Sequence, residues 1–277
     1  MKNLPSILIV AHRAKPGVAA VLDELTPWIE SRAIIAAVAE VAELPDKLGA
    51  GDATLCVVIG GDGSILAAAR ALADSPIPLM GVNMGKLGFL AEFSVDEFRE
   101  QFDAALAGEL SLSRRLMLEV ECGGTITPAA NDVTITSGAP FRMIELEVAH
   151  DADRIARYHG DGLIVATPSG STGHNLSAGG AILHPTVEAV AINPLAPHTL
   201  SLRPVVVSAD GEITIQLHDT NDGTSLLIDG QIVQPLAAGA RVTIRPLPGR
   251  LGLLANPARP YFKTLAEKLH WGRQPRG

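Results

Sequence analysis

Over the first third of the chain, short apolar runs alternate with segments whose apolar residues fall three and four positions apart. SILIVA (6–11), TLCVVI (54–59) and IPLMGVN (77–83) are runs of strand length. VAAVLDELTPWIESRA (18–33) and SILAAARALA (64–73) have helical spacing. Strands separated by helices pair in parallel and carry the helices on their faces, so this part predicts a Rossmann-like α/β domain. Strands buried on both faces read as unbroken apolar runs, as these do.

Beyond Ser113 the helical spacing stops. MLEVEC, IELEVAH, GLIVAT, SLRPVVVS, EITIQLH, SLLIDG and RVTIRPL follow one another, punctuated by Gly, Pro, Asn and Asp. That texture predicts a mostly-β second domain. YFKTLAEKLHW (261–271) returns to helical spacing, with Phe262, Leu265 and Leu269 on one side as a packing face against the first domain. The expected division is 1–113 with 257–277, and 114–256.

The chain has 277 residues, 47% of them apolar, and a formal net charge of -8. A core is easily built, and a protein made mainly to hold nucleic acid or an anionic membrane would show a basic excess instead. Any phosphate must therefore be held locally. Cys56 and Cys122 lie in apolar contexts and read as buried thiols of a reducing compartment. The apolar run before His12, Arg13 and Lys15 is too short for a signal peptide, so a cytoplasmic protein is the expectation.

Candidate chemistry begins at GGDGS (60–64). Gly60, Gly61 and Gly63 let another molecule approach the backbone, and Ser64 is expected to cap the helix that follows. The first amides of that helix suit a phosphate at the C-terminal edge of the sheet. Asp62 needs a reason. An acid there could merely favour the helix start, by roughly 0.3–1 kcal/mol. A second glycine-rich turn, GVNMGKLGFLAEF (81–93), follows the next strand and predicts a shared crevice lined by Asn83, Gly85 and Gly88, with Lys86 as a phosphate partner. GxxxxGK[ST], HExxH and GxSxG are absent, so the metal-ligand set expected from the chain itself is none.

Taken together, GGDG (60–63), NMGKLGFL (83–90), ND (131–132), DGLIVATPSGSTGHNLSAGG (161–180), LSLRPVVVS (200–208) and IDGQ (228–231) resemble the NAD kinases, in the order that family has them. The long TPSGST block is the specific part; GGDG alone resembles a turn shared with phosphofructokinases and diacylglycerol kinases. The resemblance implies transfer of the terminal phosphoryl group of ATP, or of polyphosphate, to the adenosine ribose 2′-hydroxyl of NAD. It implies a magnesium or other divalent cation, and a dimer or tetramer whose dinucleotide site is partly shared between subunits.

By the same resemblance Asp62 is the general base, with Gly61 and Gly63 beside it. Asn131 and Asp132 hold ribose hydroxyls. Asp161 lies near the nicotinamide end, and Thr172 and Ser177 on the adenine side. Asp229 stands near the reacting ribose and the donor, with Asn83, Phe89 and Gln231 in the nucleotide site. Ser169, Gly173 and His174 stand where the family commonly has Thr, Ala and Tyr, and Asp132 where it commonly has Glu. Read without the resemblance, Asn131-Asp132 is an ordinary turn pair and Asp229-Gly230 a hairpin turn. Two other readings stay open at this stage, a lipid or sugar-phosphate kinase sharing GGDG and a dinucleotide sensor without activity.

Overall fold

The computed structural model describes residues 4–40, 43–44, 53–85, 88–140 and 142–271. Lys86, expected at the phosphates, lies outside them. The chain divides into two compact units, Met1–Ser113 with Gly252–Gly277, and Arg114–Leu251.

In the first unit β1 (Ser6–Ala11), β2 (Ile34–Ala39), β3 (Leu55–Gly60) and β4 (Leu79–Asn83) form a parallel sheet in the order β2-β1-β3-β4. Every residue of β3 is buried, which accounts for its unbroken apolar run. α1 (Val18–Glu30) lies between β1 and β2, α2 (Asp62–Ala71) between β3 and β4, and α3 (Val95–Leu106) follows β4. Ile9, Val57 and Ile59 of the sheet share a core with Leu25, Ile29, Phe98 and Phe102 of the helices. A capping box starts α3: the Ser94 hydroxyl accepts from the Glu97 amide at 3.2 Å and the Glu97 carboxylate from the Ser94 amide at 2.8 Å.

α2 begins two residues earlier than its apolar pattern indicates. Its cap is Gly61, in extended conformation, and Asp62 is its first residue. Ser64 makes no capping bond and is buried inside the helix, so the expected Ser64 cap is corrected. Cap and acid both belong to the glycine turn, which apolar spacing does not report.

The second unit is a pair of sheets. One holds β7 (Asp132–Thr136), β10 (Gly162–Ala166), β11 (Ala189–Leu195), β12 (Val205–Ser208), β14 (Ser225–Ile228) and β15 (Ile232–Pro235), antiparallel in the order β12-β11-β10-β7-β14-β15. The other is built on β8 (Ile144–His150), β9 (Asp153–Gly160), β13 (Ile213–Asp219) and β16 (Arg241–Leu254), with β5 (Leu112–Cys122) and β6 (Thr125–Ala129) joined to it. Val133, Ile135, Leu163 and Val165 of the first meet Leu146, Val148, Ile213, Ile215 and Val242 of the second in one core. Period-two alternation puts these residues inward and their neighbours outward. After β10 the chain makes a short turn, Gly170–Thr172, and a one-turn helix, α4 (His174–Ser177).

The chain then returns to the first unit as α5 (Tyr261–Leu269). Two links hold the return there: the Asn256 amide donates to Glu92 at 2.9 Å, and Arg259 pairs with Glu97 at 2.9 Å. Of the expected stripe, Leu265 is buried but Phe262 is 66% exposed. The packed face centres on Leu265 with Thr264 and Leu269 half-buried beside it, and Phe262 falls outside that arc. Among the described residues no helix is long and apolar enough to cross a membrane.

Candidate active site

Asp62 does more than favour a helix start. Its carboxylate accepts three successive backbone amides of the turn after β4: Phe89 on Oδ2 at 2.8 Å, Leu90 on Oδ1 at 3.1 Å and Ala91 on Oδ1 at 2.9 Å. The approach is close because residue 88 is glycine; a β-carbon there would collide with the carboxylate. So the two glycine-rich turns do meet, joined by Asp62. The Met84 amide adds a bond to the Gly60 carbonyl at 3.2 Å. Asn83 shapes this turn too, since its Oδ1 accepts the Gly85 amide at 2.7 Å. Gly61 caps α2 and Gly63 lies in its first turn, where the amides of Ser64 and Ile65 turn back to the Gly61 carbonyl at 2.9 and 3.2 Å and the positive end of the helix dipole favours an anion.

The second unit repeats the device. The Asp229 carboxylate accepts the amides of Ala130 at 3.0 Å, Asn131 at 2.7 Å and Asp132 at 3.2 Å. Asp229 and Gly230 both hold positive φ, 52° and 64°, and the Gln231 amide closes the hairpin on the Ile228 carbonyl at 3.0 Å. The hairpin turn and the functional candidate are thus the same residue. TPSGST is tied to the same place: Thr167 donates its hydroxyl to the Ala130 carbonyl at 2.8 Å and its amide to the Asn131 carbonyl at 2.8 Å. A β-carbon on Gly170 would strike that same Asn131 carbonyl. TPSGST is therefore a packed element, with Ser169 and Ser171 buried, rather than a plain polar loop.

Two buried polar atoms here have no partner among the described residues, Asn131 Oδ1 and Ser169 Oγ. Leaving such atoms unsatisfied costs about 1–3 kcal/mol each, so they mark where a polar ligand would be met. Asp132 is buried, and its Oδ1 accepts the Thr134 hydroxyl at 3.1 Å. Burial first, then the neighbouring Asp229 charge, push its carboxyl above the usual carboxylate range; Thr134 and His174 act the other way. His174 opens α4, with Nδ1 3.3 Å from the Thr134 hydroxyl.

Asp161 precedes β10, whose far end, Ala166, pairs with Asp132; five residues of strand separate the two positions, about 16 Å. Thr172 turns its hydroxyl to the Ser169 carbonyl at 3.3 Å. Gly173 caps α4 and Ser177 ends it, exposed. Gln231 stands exposed at the hairpin tip. Phe89 carries the ammonium of Lys268, from α5, 5.4 Å from its ring centre. A cleft of about 500 Å³ beside it is lined by Gly88, Glu92 and Lys268, among others.

Sequence reading missed two residues. Lys15 follows β1, the parallel neighbour of β3, and its Nζ lies 3.4 Å from where a Gly61 β-carbon would stand. The signal in the sequence is HRAKPG, a basic segment directly after the first strand. Thr134 was legible from alternation, since residues two apart on a strand share a face with Asp132.

Among the described residues no three His, Cys, Asp or Glu side chains gather as a metal site. The carboxylates of Asp62 and Asp229, each within its own unit, accept backbone amides.

Residues 41–110 match the model of the ATP-NAD kinase N-terminal domain, and residues 130–250 that of the ATP-NAD kinase C-terminal domain. A Geobacter sp. (strain M21) protein named NAD kinase is 39% identical over 98% of this chain and 100% of its own length. In fold the chain is similar to yeast NADH kinase, solved with NADH, at a TM-score of 0.87 and 23% identity over 100% of this chain and 90% of that one. It is also similar to an NAD kinase from Archaeoglobus fulgidus, solved with ATP, at a TM-score of 0.74 and 24% identity over 96% and 99%. The reading as a lipid or sugar-phosphate kinase is set aside by these matches: the chain belongs to the NAD kinase family.

Proposed function

We propose that this chain carries out the ATP-dependent phosphorylation of NAD to NADP with Asp62 as the group that takes the proton of the adenosine ribose 2′-hydroxyl. One observation carries the assignment. A carboxylate offers about four lone-pair sites, and three of those on Asp62 accept amides, two on Oδ1 and one on Oδ2. The remaining Oδ2 site faces no competitor among the described residues and is held in place by the three bonds. An immobilised acceptor of this kind suits proton transfer, where positioning matters before basicity.

The ribose oxygen attacks the terminal phosphorus, the bond from that phosphorus to the bridging oxygen breaks, and ADP leaves. Phosphoryl transfer has a loose transition state, so the hydroxyl proton passes to Asp62 late. Asn131 Oδ1, Ser169 Oγ and the Asp132 carboxylate are the polar groups offered to the acceptor dinucleotide, and Asp161 takes its nicotinamide end. The amides opening α2, with Gly61, Gly63 and the Lys15 ammonium, are offered to the donor phosphates. A divalent cation, magnesium in this reading, would be held chiefly by the donor's own phosphates and would supply charge neutralisation there. A small hard cation keeps several waters and takes phosphate oxygens rather than an all-protein cage. Polyphosphate would engage the same amides.

A homo-oligomer fits one further feature. β12 is the edge of its sheet and exposes Val205 and Val206, and Leu200 is 93% exposed. An apolar, unpaired edge invites pairing with another copy of the chain. Sedimentation of Val206→Lys would show a smaller species than the unsubstituted protein.

The test of the reaction is NADP formation from NAD, with ATP or polyphosphate, with and without EDTA, for the unsubstituted chain and Asp62→Asn. The asparagine keeps an acceptor for Leu90 and Ala91. Turnover should fall about 10²–10⁴-fold while NAD still binds. Equal turnover would exclude Asp62 as the base, and NAD binding without NADP formation by the unsubstituted chain would make it a sensor.

A further inference from the structure

β7 divides its residues between two environments. Val133 and Ile135 enter the core, and Asp132 and Thr134 share the opposite face. Thr134 is fully buried, yet its one hydroxyl meets two polar side chains, Asp132 Oδ1 at 3.1 Å and His174 Nδ1 at 3.3 Å. A hydroxyl has one proton and two lone pairs. Donated to the carboxylate, that proton is no longer available to the imidazole. Nδ1 must then be the protonated nitrogen, donating to Thr134, which leaves Nε2 of the neutral ring as an acceptor. Asp132 is held from its other side, where its amide donates to Asp229 at 3.2 Å.

Resting on the reaction assigned above, we propose that Thr134 is a positioning residue for NAD: it orients the Asp132 carboxylate and sets the tautomer of His174, joining the two into one unit. The unit has a direction, His174 to Thr134 to Asp132, and breaking the middle link releases both ends. Asp132 then loses the donor that aligns it, and the imidazole becomes free to change tautomer. The chemistry at Asp62 is untouched, so the loss belongs to dinucleotide binding and not to turnover.

Three substitutions and one spectrum test this. Thr134→Val removes the hydroxyl at nearly constant shape; KM for NAD should rise about tenfold with kcat within about twofold, the size expected for one charge-assisted hydrogen bond. Thr134→Ser restores the hydroxyl and should bring KM back to within about twofold. His174→Ala should raise KM less than Thr134→Val, and the double variant Thr134→Val/His174→Ala should be no worse than Thr134→Val alone. Imidazole ¹⁵N shifts of the unsubstituted protein, above the pH of ring protonation, should show His174 protonated at Nδ1. A neutral ring protonated at Nε2 overturns the proposal. So does an unchanged KM in Thr134→Val, a fall in kcat with KM constant, or additive losses in the double variant. If Thr134→Val fails to fold, the serine variant and the spectrum still decide. The spectrum needs no turnover, so an inactive protein would sink the assigned reaction without touching the tautomer result.

Discussion

The Asp62 carboxylate fills the space that a β-carbon on Gly88 would need. Glycine at 88 is therefore required by a side chain from another element, not by its own backbone angles. The contact puts the carboxylate against the amides of Phe89, Leu90 and Ala91, and so holds the turn after β4 to the start of α2.

Gly88→Ala should displace Asp62, abolish most NADP formation and destabilise the protein by about 1–3 kcal/mol, the range for leaving buried partners unsatisfied. In an Asp62→Ala background the obstacle is gone, and Gly88→Ala should then cost little. Urea unfolding of the four proteins closes the cycle. Additive losses would mean that the two residues do not compete for one space.

Asp229 holds Ala130, Asn131 and Asp132 from roughly a hundred positions away in the chain. Asp229→Asn keeps a side chain that tolerates positive φ, so it isolates the carboxylate's second acceptor from backbone strain. The expected outcome is a loss of about 1–3 kcal/mol in urea unfolding together with a raised KM for NAD. A stable variant with unchanged KM would reduce Asp229 to a hairpin residue.

These clamps mark the limit of what the chain discloses without coordinates. β1 was legible to the residue, and β3 and β4 nearly so, because buried parallel strands write unbroken apolar runs. β2, IIAAVA, went unread: three alanines carry too little contrast, and its residues are only partly buried. The glycine turns pointed to a site, but the work of Asp62 and Asp229 depends on partners 27–29 and 97–99 positions away, which no local pattern encodes. Resemblance named Asp132, while Thr134 and Lys15 required the sheet, the first through a shared face and the second through the β1–β3 pairing.

Asp132 should trade stability for function. Its carboxyl is raised in the folded protein, by burial first and by Asp229 second. The stability it contributes is present below the unfolded value, near 3.9, and is lost as pH rises through the higher folded value. At pH 7 the fold therefore carries a charge it disfavours. Asp132→Asn, which can still accept from Thr134, should raise the Tm at pH 7, and the gap to the unsubstituted protein should close towards pH 4. NADP formation should meanwhile fall about 10–100-fold in kcat/KM for NAD. A lowered Tm at pH 7 would show that the carboxylate is stabilised by its surroundings.

Lys15 carries the remaining prediction. Its ammonium reaches the glycine turn because β1 and β3 are parallel neighbours, and the segments leaving their ends emerge side by side. It is exposed, and no ion pair of its side chain occurs among the described residues, so its position beside Gly61 does not follow from a structural bond. The first amides of α2 supply directed donors to a phosphate but only partial charge, whereas the lysine adds a whole one. Lys15→Ala should raise KM for ATP about three- to tenfold, a screened surface charge being worth about 1 kcal/mol, and leave KM for NAD unchanged. Added salt should shrink the difference, because a contact with water on one side is screened within about 10 Å at 0.1 M. Lys15→Arg should keep most of the affinity. If KM rose for NAD instead of ATP, the ammonium would belong to the acceptor, and the donor phosphates would have to be held by the helix amides and the cation alone.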